Sequence, residues 1–129
     1  PYPDWKFQPV DFVAALGFHR ALVVGEPVPL EPERIALVAD ALPAFTAQLS
    51  QGGTVVAEGG GKNILKSPAL CLAELASAIA RQPGAEPLAA RDLVTTGSLT
   101  DPQFIRAGET WAVTVRGLDL PPLTLHVRT

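Results

Sequence analysis

The sequence is poor in the residues that build metal centres and covalent cross-links. Among its 129 residues there is no methionine, and there are only two histidines and one cysteine. The single cysteine, Cys71, cannot form a disulfide within the chain, which fits a reducing compartment such as the cytoplasm. The histidines, His19 and His126, lie far apart, and no Cys or His cluster has the spacing of a zinc site.

Positive charge and long apolar runs are also scarce. Ten Lys and Arg residues face 13 Asp and Glu residues, giving a net charge of −3. Without a basic stripe, nucleic acid is not an expected partner. No unbroken apolar run approaches the roughly 20 residues of a membrane span, so membrane association is not expected either. Because the chain opens at Pro1 and carries no Met, we expect it to be part of a longer protein.

Hydrophobic patterning predicts a single α+β domain over residues 1–129. The apolar run at residues 21–24 predicts a buried strand, and alternation over residues 44–50 and 54–58 predicts a hairpin closed by Gly52-Gly53. Three further strands are predicted at residues 93–96, 110–116 and 123–128.

Helical signals are few. Residues 68–81 predict the main helix, because Ser67 can cap it, Pro68 suits its first turn and Pro83-Gly84 end it. A shorter helix is predicted at residues 33–40. Since two-residue periodicity dominates, we expect a mixed, strongly curved β-sheet with the main helix packed on it.

Several stretches together carry a family resemblance. Residues 92–100 read DLVTTGSLT, and residues 59–68 read GGGKNILKSP. With Asp4-Trp5-Lys6 and Val23-Val24-Gly25, in this order and spacing, they resemble the C-terminal part of the 2-keto-4-pentenoate hydratases, within the fumarylacetoacetate hydrolase group. Lys66 and Ser67 stand where that family usually has Gly and Asn.

The resemblance implies a fold and a reaction. The implied fold is a fumarylacetoacetate hydrolase-like β-roll, of which this chain is the C-terminal portion without the N-terminal part. The implied reaction is addition of water to 2-hydroxypenta-2,4-dienoate or a similar 2-oxo acid precursor, in the degradation of aromatic compounds. Two alternatives remain: a related 4-oxalocrotonate decarboxylase, and a non-catalytic structural or binding module that kept the fold.

The family's chemistry depends on a divalent metal, usually Mg²⁺ or Mn²⁺, which binds the 2-oxo acid end of the substrate. Its ligands are a Glu-x-Glu pair and a third Glu before the Asp-Trp-Lys motif, and none has a counterpart in this chain. Glu31-Pro32-Glu33 has the spacing but lies in a proline-rich link. We therefore expect the chain alone to be inactive and to associate with its missing N-terminal half, with further copies of itself, or with both.

The resemblance also marks two candidate catalytic residues, Lys6 and His19. For Lys6, as for Asp11, the alternative is a surface ion pair or a scaffold role. His19 and Arg20 follow a segment that reads ALGF where the family usually has a polar, hydroxyl-rich turn. His19 can exchange a proton near neutral pH and Arg20 can bind a carboxylate bidentately. Otherwise both are turn residues at the entrance of a strand.

The third candidate is the turn formed by Gly97, Ser98 and Leu99. In the family this turn lies at the floor of the active site and meets the substrate's carboxylate. A glycine lets the backbone approach closely, and exposed amides at a strand end can hold an anion. The alternative is a tight structural turn in which the serine hydroxyl bonds its own backbone.

Overall fold

Regular structure is concentrated in one antiparallel sheet. The computed structural model describes residue 4 and residues 6–128. The strands β1 (Thr46–Gln51), β2 (Thr54–Gly60), β3 (Thr110–Arg116) and β4 (Leu123–His126) pair in the order β2-β1-β3-β4. The α+β class is confirmed. The predicted mixed sheet is wrong, because each pairing of these four strands is antiparallel, and the described sheet is not closed into a roll.

The β1–β2 hairpin forms as the sequence predicts. Gly52 (φ 56°) and Gly53 (φ 87°) both lie in the left-handed region that favours glycine, and they make the two-residue turn. Because successive side chains of a strand point to opposite faces, most apolar side chains of β1 and β3 share one face of the sheet. Phe45 and Ala47 are buried on and beside β1, and Trp111 is buried on β3. Apart from Ile64, these three are the only buried apolar side chains among the described residues.

The described residues form three α-helices, where two were predicted. They are α1 (Pro9–Ala14), α2 (Ile35–Ala41) and α3 (Pro68–Ala80), accompanied by 3₁₀ turns at Leu16–Phe18, Pro32–Arg34 and Gly61–Asn63. The unpredicted α1 is too short to show helical periodicity. It is set by its N-terminus, where the backbone N–H of Gln8 donates to the Asp11 carboxylate at 2.8 Å.

The main helix α3 begins as predicted but does not pack as predicted. The Ser67 hydroxyl accepts a hydrogen bond from the Ala69 N–H at 3.3 Å and caps the helix. Its apolar face stays open: Leu72 is 42% exposed and Leu75 37%. The expectation that α3 covers the sheet is therefore wrong for this chain, since α3 makes no extensive contact with any described strand.

One stretch, Gly61–Ala80, is long and apolar enough to cross a membrane by length and composition alone, with a mean hydropathy of 1.2. Its backbone is not one helix. Leu65 (φ 44°) and Lys66 (φ 70°) separate a 3₁₀ turn from the 13-residue α3. A helix of that length spans about 20 Å, short of the roughly 30 Å hydrocarbon core of a bilayer.

Two predicted strands are absent from the sheet. Residues 21–24 and 93–96 are irregular, and Leu22, Val23 and Val24 are 47%, 45% and 60% exposed. The predictions at 21–24 and 93–96 are wrong because a strand needs a hydrogen-bonded neighbour, and none of the four described strands pairs with either segment.

The chain exposes far more surface than a folded monomer of its mass. Its accessible area is 10,275 Å², whereas a monomer of 13.6 kDa is expected to expose about 6,600 Å². The excess reflects the long irregular segments on both sides of the hairpin, whose apolar side chains find little cover. Phe104, at 85% exposed, is the extreme case.

We predict that Lys66→Gly stabilises the chain. Lys66 adopts φ 70°, a left-handed conformation that costs an L-residue about 1–2 kcal/mol. The 2-keto-4-pentenoate hydratases, which the sequence resembles, usually have Gly at this position. After the entropic cost of glycine, we expect the free energy of unfolding to rise by roughly 0.5–1 kcal/mol in denaturant titrations. Lys62→Gly is the matched control, because Lys62 lies outside the left-handed region and should lose roughly 0.5–1 kcal/mol. A loss at position 66 as large as that at 62 would contradict the account.

Candidate functional site

The Gly97–Thr100 turn lies over the edge of the sheet, between two clefts. The first cleft, of about 460 Å³, is lined by Glu58, Asn63, Ser98, Leu99, Thr100, Asp101 and Pro102. The second, of about 340 Å³, shares residues 98–102 with the first and is also lined by sheet residues that include Leu49, Trp111 and Leu125. Ser98 itself is exposed and lines both clefts.

Three elements hold this turn in place. A Cβ atom at Gly59, near the end of β2, would collide with the Leu99 carbonyl, so the turn packs directly on bare strand backbone. The Asn63 side-chain amide donates to the same carbonyl at 2.9 Å. On the incoming side, the Cys71 thiol of α3 donates to the Thr96 carbonyl at 3.3 Å. The turn is irregular, but it is anchored at both ends.

The glycine in the turn permits its backbone conformation. Gly97 has φ 118°, which L side chains rarely adopt, and no atom lies within 4 Å of a Cβ built there. Close approach of a substrate carboxylate to the Gly97 backbone stays a prediction. Within the chain, close backbone contact occurs at Gly59, against Leu99.

The turn presents hydrogen-bond donors that the chain does not use. The backbone N–H groups of residues 97–100 and the Ser98 hydroxyl find no acceptor within the part of the chain that the structure describes. The structural alternative, in which Ser98 bonds its own backbone, is therefore not what forms. Donors without an internal partner beside a cleft are available to water and to an anion alike.

The charges around the turn are mainly negative. The carboxylates of Glu58 and Asp101 line the first cleft, and Gln48 donates to Glu58 at 2.6 Å. No Lys or Arg lines either cleft beside Ser98. Lys62 lines an adjoining cleft of about 400 Å³, which shares Glu58 and Asn63 with the first. An anion held at the turn therefore depends on neutral donors, and on positive charge brought from elsewhere.

The residues present do not form a metal centre. Over residue 4 and residues 6–128, no group of three or more His, Cys, Asp or Glu side chains is placed to hold a metal ion. Hard divalent cations need several converging oxygen ligands. The described part of the chain therefore does not fit the family's metal on its own.

The other predicted site residues lie in the N-terminal segment, residues 6–20. Lys6, His19 and Arg20 are exposed, and none of them lines the clefts beside Ser98. Trp5 of the Asp-Trp-Lys motif lies outside the described residues. The catalytic roles of Lys6 and His19, and substrate binding by Arg20, stay predictions.

An aromatic cluster of Phe7, Phe12 and Phe18 packs within this N-terminal segment. The ring of Phe18 packs edge-on against Phe7 at 4.7 Å and Phe12 at 5.2 Å between centroids. Leu16, Gly17 and Phe18 all have positive φ, so the apolar turn that replaces the family's polar turn folds over these rings. Asp11 serves as part of the α1 cap, in agreement with a scaffold role.

Sequence reasoning missed Gly59 and Asn63 as parts of the site. Gly59-Gly60-Gly61-Lys62 suggests a phosphate loop only superficially, because Val56 and Asn63 occupy positions where that motif needs Gly and Ser or Thr. The run of three glycines was itself the available signal. It marks a place where other backbone segments approach the strand closely.

Comparison with known proteins shows the fold. No family model matches the chain, and no curated protein sequence matches it. Solved structures do. The 4-oxalocrotonate decarboxylase from Pseudomonas putida G7, complexed with magnesium and adipate, aligns over 98% of this chain with a TM-score of 0.80 and 23% identity. The same enzyme complexed with calcium and acetate aligns over 67%, with a TM-score of 0.60 and 24% identity.

These likenesses show that the chain shares the fold of part of that enzyme. The chain spans 44% of one neighbour and 32% of the other, so more than half of each lies outside the match.

Proposed function

We propose that this chain is the carboxylate-binding portion of a metal-dependent, cytoplasmic enzyme that acts on 2-oxo acids from aromatic degradation. The observation that carries the proposal is the Gly97–Thr100 turn: Ser98, Leu99 and Thr100 line a cleft, and their N–H groups and the Ser98 hydroxyl have no acceptor among the described residues. The fold adds support, since the neighbour with a TM-score of 0.80 is complexed with adipate, a dicarboxylate, and with magnesium. Its metal ligands would come from polypeptide outside this chain.

The chain's own contribution is binding and orientation. The turn's neutral donors would hold one carboxylate of the substrate, while Glu58 and Asp101 disfavour a free anion that brings no positive charge. The metal, when supplied, would polarise the 2-oxo group and neutralise part of this charge. A substrate bound at the turn is thus favoured in its metal-chelated form.

Two reactions fit this arrangement. The sequence resemblance favours hydration of a 2-hydroxypenta-2,4-dienoate, whereas the similar solved structures are of a decarboxylase. Turnover assays on the longer enzyme with each substrate class distinguish them, because one forms a 4-hydroxy-2-oxo acid and the other releases CO₂. A non-catalytic module is favoured only by the apolar Leu16–Phe18 turn. Absence of turnover with both substrates, in the presence of Mg²⁺ and Mn²⁺, would favour that reading.

We infer further that the exposed apolar surface is covered by the remaining part of the enzyme. The chain exposes about 3,700 Å² more than a monomer of its mass should. Covering this excess would bury roughly twice that area over the two partners together, which is the size of a large obligate interface. More than half of the neighbour with adipate lies outside the match, which is enough polypeptide to cover it. The open face of α3, with Leu72 and Leu75, is one part of this surface.

The isolated chain should therefore associate with itself when its cover is missing. Sedimentation velocity at micromolar concentration should show dimers or larger species. Leu75→Lys should weaken the association, whereas Ser77→Lys, on the opposite face of α3, should leave it unchanged. A stable, monodisperse monomer would sink the inference, and equal effects of the two variants would exclude the α3 face.

Ser98→Ala tests the binding role of the turn. We expect adipate, titrated together with Mg²⁺ to supply positive charge beside Glu58 and Asp101, to shift the amide signals of residues 97–100 of the ¹⁵N-labelled chain with a dissociation constant on the order of 1 mM. The variant loses a hydrogen bond to a charged group, which contributes about 1.5–3 kcal/mol, so the affinity should fall roughly ten- to a hundredfold. In the longer enzyme kcat/KM should fall by a similar factor.

The matched control is Ser77→Ala, which removes an exposed hydroxyl of α3 away from the clefts. It should bind adipate as the unsubstituted chain does. Ser98→Ala should change the free energy of unfolding by less than about 1 kcal/mol, because Gly97 still sets the turn. A loss of stability with unchanged adipate affinity would mean that Ser98 is only a structural residue.

A further inference from the structure

The Asn63 side chain stands at the meeting point of two clefts and of the candidate binding turn. It ends the 3₁₀ turn Gly61–Asn63, which follows directly on β2. Its amide nitrogen donates to the Leu99 carbonyl at 2.9 Å, across 36 positions of sequence. It lines both the cleft beside Ser98 and the adjoining cleft that contains Lys62.

The Leu99 carbonyl is constrained from two directions. Gly59 meets it from the strand, where even a methyl group would collide with it, and Asn63 meets it from the 3₁₀ turn. Asn63 supplies the only polar contact with this carbonyl among the described residues. The packing against Gly59 sets the distance between the Leu99 carbonyl and β2. The hydrogen bond from Asn63 sets the direction in which that carbonyl points.

Orienting this carbonyl also orients a donor of the binding turn. A trans peptide group is planar, so its N–H points opposite to its C=O. Once the Leu99 carbonyl is directed at Asn63, the Thr100 N–H points the other way. That N–H is among the donors without an acceptor in the part of the chain that the structure describes. Its direction would otherwise be free to vary, because the segment belongs to no helix or strand.

We propose that Asn63 is a positioning residue, which fixes the Leu99–Thr100 peptide and thereby preorganises the turn for a carboxylate. The inference rests on the proposed function and deepens it. Asn63 need not touch the ligand. It lowers the conformational freedom that binding would otherwise have to remove, and preorganisation of this kind raises affinity without a new contact.

The test compares Asn63→Ala with Ser50→Ala in the full chain. Each substitution removes one side-chain donor to a distant backbone carbonyl, but Ser50 bonds Ala112 within the sheet and lines none of the clefts around the turn. Without Asn63, the ¹⁵N order parameters of residues 98–100 should fall from rigid values of about 0.85 to below about 0.6. The adipate affinity should fall about fivefold, the factor that corresponds to roughly 1 kcal/mol. Ser50→Ala should change neither quantity.

Asn63→Gln keeps the amide donor on a longer side chain and should restore part of both quantities. Amide shifts of β1 and β3 report whether the sheet is intact in every variant. If the unsubstituted chain binds no adipate, the proposed function fails, and the order parameters alone still decide whether Asn63 positions the turn. If adipate binds, and Asn63→Ala leaves both affinity and order parameters unchanged, the inference is overturned while the binding role of Ser98 stands.

Discussion

The structure depends most on the contact of three consecutive glycines with backbone carbonyls. A Cβ at Gly59 would collide with the Leu99 carbonyl, one at Gly61 with the Leu42 carbonyl, and one at Gly60 would lie 2.7 Å from the Phe45 carbonyl. Side chains at these positions would push away three separate segments. Because these three residues lack side chains, the end of β2 packs closely against three segments: the C-terminal end of α2, the start of β1 and the Ser98 turn.

This close packing around the glycine run explains why the candidate site is ordered although the hydrophobic core is small. The buried apolar side chains lie on the sheet and at Ile64, beside the glycine run. Farther from it, the chain is irregular and its apolar groups are exposed, as at Val24 and Phe104. The well-packed part and the candidate binding turn therefore coincide. Under the proposed function, the exposed remainder is the surface that a further part of the enzyme would cover.

Local patterns predicted the elements whose stability is local. The Gly52-Gly53 hairpin, the Ser67 cap of α3 and the strands β3 and β4 follow from turn chemistry and alternation in sequence. The strand predicted at residues 21–24 fails because apolar character does not supply a pairing partner. Ser98 was proposed from its motif, and its binding role stays a prediction. Asn63 was missed because its contact with Leu99 joins residues that only the folded chain brings together.

The central claim is that bare backbone at Gly59 places the turn that binds a carboxylate. The most direct test is the adipate affinity of Gly59→Ala, measured from the amide shifts of residues 97–100. Gly25→Ala is the control, because its added methyl group would meet only the end of the Leu123 side chain, at 3.3 Å. We predict that Gly59→Ala keeps the β1–β3 pairing and loses adipate affinity by more than about tenfold, through displacement of the Leu99 carbonyl. Unchanged adipate binding in Gly59→Ala would contradict the account.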